Sequence, residues 1–231
     1  MDKTLEKDYR RLTTPRAAAV AGILFALLFI TSLILLRSAI PERLNTDAAW
    51  VATGYQRITI ALGLMPFAGI AYLWFIGVVR DKLGDYEDRF FSSVFYGSSL
   101  LFLGLVFVAM AVVGGLVAGY RLNPGITLNS QVIYFSRAMM IQLSNVYALR
   151  MAGVTMISLA TIWLRTGLAP RWLVWVTYAL SLALLLVVNF SLWVTLIYPA
   201  WVLLISLFIL WLRFMNKDAR ILASEISPNK G

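Results

Sequence analysis

Apolar and polar positions in this chain alternate in long blocks, not with the short period of a soluble helix or strand. Six largely apolar stretches, at 17–36, 58–79, 91–119, 146–165, 172–188 and 194–212, are separated by short polar breaks. Each is close to or above the ~20 residues that span ~30 Å of hydrocarbon at ~1.5 Å per residue. In lipid such stretches must be helical, because a helix satisfies every backbone N–H and C=O within itself. The pattern predicts an all-α polytopic membrane helix bundle of six transmembrane helices. Residues 1–16 then form an N-terminal segment, 17–212 the six-helix transmembrane domain and 213–231 a C-terminal tail.

The sharpest break lies within AYLWFIGVVRDKLGDYEDRFFSSVFYGSSLLFLG, residues 71–104. Seven charges fall within ten residues there: Arg80, Asp81, Lys82, Asp85, Glu87, Asp88 and Arg89. Gly84 suits the left-handed residue that closes a helix, because it has no Cβ to clash. Asp85 then stands as an N-cap, and Asp88 takes the place of the capping-box acid. Arg80 and Lys82 face the negative end of one helix dipole; Asp85, Glu87 and Asp88 face the positive end of the next. Capping, together with pairing of Arg80, Lys82 and Arg89 to acidic neighbours, is expected to use up these charges.

The other breaks are read in the same way. Leu5, Tyr9 and Leu12 share one helical face, a short interfacial helix, and Thr14–Pro15 reads as N-cap and first residue of the opening span. Asp47 can cap a short surface helix through Tyr55 before the second span, and Pro66 should kink that span. Asn123–Pro124–Gly125 marks a turn. The helical pattern from Ser130 to Leu164 is too long for one perpendicular span, so its first turns are expected to protrude or lie on the surface. Leu168–Ala169–Pro170 ends it, Trp172 and Trp175 mark an interface, and Asn189–Phe190–Ser191 closes a tight hairpin between the last two spans.

Composition sharpens this picture. The 231 residues are 61% hydrophobic and only 13% charged, against about 25% charged in soluble domains, and mean hydropathy is +0.81. Net charge is +9, but the basic residues flank apolar runs instead of interleaving with aromatics, so they read as an orientation signal and not as a nucleic-acid surface. Fourteen of the twenty lysines and arginines fall in 1–16, 80–89, 165–171 and 213–231. Arg37, Arg43, Arg57, Arg121 and Arg137 fall at the opposite ends of the spans. The positive-inside rule therefore places both termini and the 80–89 hairpin in the cytosol.

The chain has no cysteine and no histidine. Disulfides, zinc thiolate sites, cysteine nucleophiles, haem-ligating histidine and histidine bases are all excluded. None of the eleven carboxylates lies within a predicted span, which argues against proton-coupled transport and carboxylate-bridged metals. No cofactor is expected.

Two features remain as candidates. Ala18, Gly22 and Ala26, and again Ala111, Gly115 and Gly119, repeat every fourth residue, the small-residue pattern that lets membrane helices approach closely. Both stripes are expected to meet another helix, within the bundle or in a second copy. The candidate polar site is Arg150, deep in the fourth span, with Tyr147, Ser158 and Thr161 within about 80° of one helix face. Asn145 and Asn189 are its candidate side-chain partners if it faces the bundle interior. Arg150 either snorkels to the headgroups or turns inward toward carbonyls, these asparagines or a bound anion.

The wording YLWFIGVVRDKLGDYEDRFFSSVFYGSSLLF at 72–102, with LRMAGVTMISLATIWLRTGLAPRW at 149–172, resembles a set of uncharacterised bacterial multipass membrane proteins. That resemblance implies a bacterial inner-membrane location and brings no activity or site residues. The residues favour a non-enzymatic accessory or assembly component, in contact with the lipid bilayer and with its own copies or another membrane subunit. The alternative is a small transporter or channel for an anionic or amphiphilic solute, with Arg150 as the anion contact.

Overall fold

A computed structural model describes the backbone at residues 3–40, 49–83, 89–122, 129–186 and 192–226, and side chains at 17–40, 53–81, 90–122, 129–186 and 194–211. All regular structure among these residues is helical: α1 (Lys3–Ala39), α2 (Ala49–Leu83), α3 (Arg89–Leu122), α4 (Ser130–Ile141), a π-helical stretch (Gln142–Ala148), α5 (Leu149–Thr166), α6 (Arg171–Leu186), a 3₁₀ turn (Leu192–Leu196) and α7 (Ile197–Ile226). Five segments are long and apolar enough to cross a membrane: Ala17–Ala39, Thr53–Asp81, Phe90–Leu122, Ser130–Thr166 and Val194–Trp211. The apolar helix α6 is shorter, at 16 residues.

Several predicted boundaries dissolve into longer helices. α1 runs without interruption through Pro15, so Thr14 does not start a separate helix. α2 is continuous from Ala49 through Pro66 to Leu83, joining the expected surface helix to the span. A proline removes one backbone hydrogen bond, and a helix held by neighbours on both sides of that gap tolerates the loss. Gly84, Asp85, Glu87 and Asp88 lie outside the described residues, as do the side chains of Lys82 and Arg89 and the turns at 123–128 and 187–191. Among the described residues the Arg80 guanidinium lies over the Tyr96 ring, 4.4 Å from the centroid, a cation–π contact with α3.

The segment before Arg150 continues into the same helical run and packs partly on the bundle. Asn129 caps α4 by accepting from the Gln131 N–H at 2.9 Å, and α4 packs on α3, burying Ile133 and Met140. After one more residue the helix widens, and the Leu149 N–H reaches back to the Ser144 carbonyl. Nothing breaks the run until Gly167, whose φ of 68° makes it the left-handed closing residue; its N–H donates to the Trp163 carbonyl at 2.9 Å. Only a residue without a Cβ takes that conformation cheaply.

The helices form a closed ring. α1 packs between α2 and α7, α2 on α3, α3 on α4 and α5, and α5 on α6. The ring closes where the Trp201 indole N–H of α7 donates to the Thr177 hydroxyl of α6 at 3.0 Å. Aromatic side chains fill the middle: Phe25 and Phe29 from α1, Tyr72 and Phe75 from α2, Phe102 from α3, Tyr198 and Trp201 from α7. Phe25 meets Tyr72 at 4.6 Å between centroids and Phe102 meets Tyr198 at 4.6 Å. Rings of this size interlock from several helices and leave little free volume.

Candidate functional site

The most connected polar cluster lies inside this aromatic core. The Tyr72 and Tyr198 hydroxyls share a hydrogen bond of 2.5 Å, with both residues fully buried. The Ser99 hydroxyl adjoins both phenols, and that of Thr155 adjoins Tyr198. Ser98 and Thr155 hydroxyls stand 2.9 Å apart. Ser99 donates to the Phe95 carbonyl at 2.7 Å, and Thr155 to the Met151 carbonyl at 2.9 Å. Four helices, α2, α3, α5 and α7, are therefore joined through hydroxyls that satisfy one another. Each hydroxyl in an apolar interior needs such a partner, because hydrocarbon supplies none. The cluster ties the ring together, and its groups carry no charge and no activated nucleophile.

Neither tyrosine was singled out from the sequence. The available signal was a polar tip inside an apolar run, and such tips find partners on other helices. The same logic covers Ser32, whose hydroxyl donates to the Ala61 carbonyl at 2.8 Å and ties α1 to α2.

The predicted polar group around Arg150 is dispersed. Arg150 is half-buried and one N–H of its guanidinium donates to the Val146 carbonyl, one turn earlier on its own helix, at 2.8 Å. Tyr147 is 57% exposed at the bundle surface. Ser158 is buried and donates to the Val154 carbonyl at 2.8 Å. Thr161 is half-buried and bonds the Tyr178 hydroxyl of α6 at 2.8 Å. Asn145 is buried, its Oδ1 3.1 Å from the Ser144 hydroxyl, and Asn189 lies outside the described residues. An arc of about 80° straddles the line between core and surface, so residues that share it need not share a pocket. Tyr147 is exposed and Arg150 half-buried, whereas Ser158 and Asn145 are buried.

A second polar region gathers at the end of the bundle that holds the end of α1. Arg37 donates to the Thr195 hydroxyl at 2.7 Å, and Arg57 to the Ser38 carbonyl at 3.0 Å. Arg37, Thr195 and Ser144 edge a cavity of about 20 Å³ lined mainly by Leu33, Met110 and Met140. A neighbouring cavity of about 10 Å³ adjoins Arg137. Volumes of this size suit a single water, not a solute. At the opposite end, Arg165 lies 4.9 Å from the Phe91 ring centroid, near the Arg80–Tyr96 contact.

The two small-residue stripes have different surroundings. Ala18, Gly22 and Ala26 are buried. A Cβ on Gly22 would lie 2.0 Å from the Ser206 hydroxyl of α7 and 2.9 Å from the Phe75 ring of α2. Ala111, Gly115 and Gly119 are exposed, and a Cβ on either glycine would meet nothing within 4 Å. No helix of this chain covers that face among the described residues, which corrects the expectation of packing within the bundle. Small residues permit close approach without supplying the neighbour. Comparison with protein families, curated proteins and solved structures finds no match to this chain.

Proposed function

We propose that the chain crosses a bacterial inner membrane six times, with both termini cytosolic, and serves as a non-enzymatic accessory or assembly component. One observation carries this reading: the middle of the ring is occupied by interlocking aromatics and mutually satisfied hydroxyls, centred on Tyr72 and Tyr198. Such a centre favours a rigid scaffold over a solute path. Two further features support it. The two cavities beside Arg37 and Arg137 are of single-water size, and among the described residues no helix covers the Ala111, Gly115 and Gly119 face of α3. The resemblance carried by the 72–102 hairpin supports the bacterial membrane location.

The test begins with the protein solubilised in mild detergent and its mass measured by light scattering and native mass spectrometry. A homo-oligomer, or a stoichiometric complex with another membrane subunit, that is lost when Gly115 and Gly119 are both replaced by leucine supports the reading. A monomer that moves anions across proteoliposome membranes would overturn it in favour of the transporter reading. That alternative draws on one observation, the half-exposed Arg150 on a membrane-length helix.

A further inference from the structure

We propose that Arg150 and Tyr147 together bind a phosphate group at the outer flank of the bundle, that of a phospholipid headgroup or of a phosphate-bearing solute. The inference rests on the six-pass orientation above for its side of the membrane, and on side-chain geometry for its chemistry. The two residues stand three apart on one helical face, Tyr147 57% exposed and Arg150 half-buried. One arm of the guanidinium donates to the Val146 carbonyl at 2.8 Å. That bond directs the side chain toward the N-terminal end of its helix, away from Arg165 and the cytosolic side.

A guanidinium carries five N–H donors in a fixed planar fork. None of the Arg150 nitrogens is both buried and unsatisfied, so the donors not used by Val146 lie at the bundle surface. Among residues with described side chains Asp81 is the sole carboxylate, and it lies at the opposite end of the bundle. Fifteen residues separate Arg150 from Arg165, about 22 Å along a helix axis. In a hydrocarbon layer of ~30 Å, the Arg150 backbone then sits ~8 Å beneath the outer edge. An arginine side chain running N-terminally covers most of that distance.

The anion found at that depth in a bilayer is the headgroup phosphate. Its paired oxygens match the guanidinium fork, and the Tyr147 phenol, one turn nearer the outer edge, adds a donor at interface level. Tyr147 and Val146, whose carbonyl braces Arg150, both lie within the π stretch. Arg150 is thus held at one nitrogen by its own backbone and presents the others outward.

The experiment uses full-length protein in mild detergent, titrated with dioleoylphosphatidylglycerol and separately with inorganic phosphate, with bound lipid counted by native mass spectrometry. Wild type should hold one phospholipid more tightly than the rest. Arg150→Gln should weaken that lipid about tenfold or more, Arg150→Lys should retain part of the affinity, and Tyr147→Phe should weaken it a few-fold. Displacement of the lipid by millimolar inorganic phosphate would assign the site to a soluble phosphate; resistance to displacement would assign it to the headgroup. Equal lipid retention by wild type and a monodisperse Arg150→Gln protein would overturn the proposal. Should that variant fail to fold, wild-type retention by both Arg150→Lys and Tyr147→Phe would overturn it as well. Retention in detergent is independent of orientation, so a negative result strikes this site alone, whereas wrong-sided labelling at residue 125 strikes the topology and changes the leaflet of the site without removing its chemistry.

Discussion

The Tyr72 and Tyr198 hydroxyls meet 2.5 Å apart across 126 positions of sequence, in surroundings where neither could find water. Interhelical hydrogen bonds within membrane proteins contribute about 0.6 kcal/mol on average and up to about 1.7. Removing one phenol leaves Tyr72 with Ser99 alone, or Tyr198 with Ser99 and Thr155. Tyr72→Phe and Tyr198→Phe should therefore each lower stability by about 1 kcal/mol. The double variant should lose clearly less than the sum, because the second substitution removes a group whose partner has already gone. Unfolding in mixed detergent micelles measures all four corners of this cycle, and strict additivity would show the two hydroxyls to be uncoupled. This pairing was illegible in the sequence for a simple reason. A hydroxyl inside an apolar run announces that it needs a partner, while the partner is chosen by the packing of helices far apart in the chain. Arg150 was legible as an intramembrane charge; the side of α5 it occupies was not, since helical periodicity locates a face without saying which neighbour covers it.

Long apolar helices, by contrast, could be read from hydropathy because the transfer of a segment into lipid depends mostly on its own side chains and backbone. Helix ends were harder. Thr14–Pro15 carries a local signal for a start, yet α1 runs through it, and α2 is continuous through Pro66. The π stretch contains neither glycine nor proline, so no local signal marks it. Glycines separate the two kinds of helix face most cleanly. At Gly22 a Cβ would press on Ser206 and Phe75, and at Gly153 it would come 2.9 Å from Leu185 and 3.2 Å from the Ser181 carbonyl. Gly22→Ala and Gly153→Ala should each destabilise by about 1–3 kcal/mol through overpacking. Replacing Gly115 and Gly119 together by leucine should leave the melting of a single chain within about 0.5 kcal/mol, since nothing in the chain opposes the new side chains. Any effect should appear in oligomer size. A large loss of monomer stability from the α3 pair, or none at Gly22 and Gly153, would contradict these assignments of inner and outer face.

At the scale of the whole molecule, the question is whether α6 crosses the membrane. Its 16 residues reach about 24 Å at 1.5 Å per residue, short of ~30 Å of hydrocarbon; a bilayer accommodates such a deficit by thinning and by interfacial anchoring of flanking residues. Trp172 and Trp175 are exposed on α6, placed as such anchors at the end that follows Arg165. The contacts between helix ends favour a crossing. Arg37 of α1 reaches Thr195 just before α7, while Arg165, before α6, reaches Phe91 near the start of α3. The chain therefore enters α6 at the Phe91 end and enters α7 at the Arg37 end. Charge argues the same way. With six crossings Arg213, Lys217, Arg220 and Lys230 join the N-terminal cluster on the cytosolic side, whereas five crossings would strand all four outside, against the positive-inside rule. A chain without cysteine makes the test clean. Single cysteines replacing Tyr86, Gly125 and Pro228 should react with a membrane-impermeant maleimide in intact cells only at 125, and at 86 and 228 only after the membrane is opened. Outside labelling at 228 with 86 still protected would reduce the count to five and leave α6 as an element that enters and leaves on one side. Outside labelling at 86 would invert the whole orientation, and with it the leaflet that Arg150 faces.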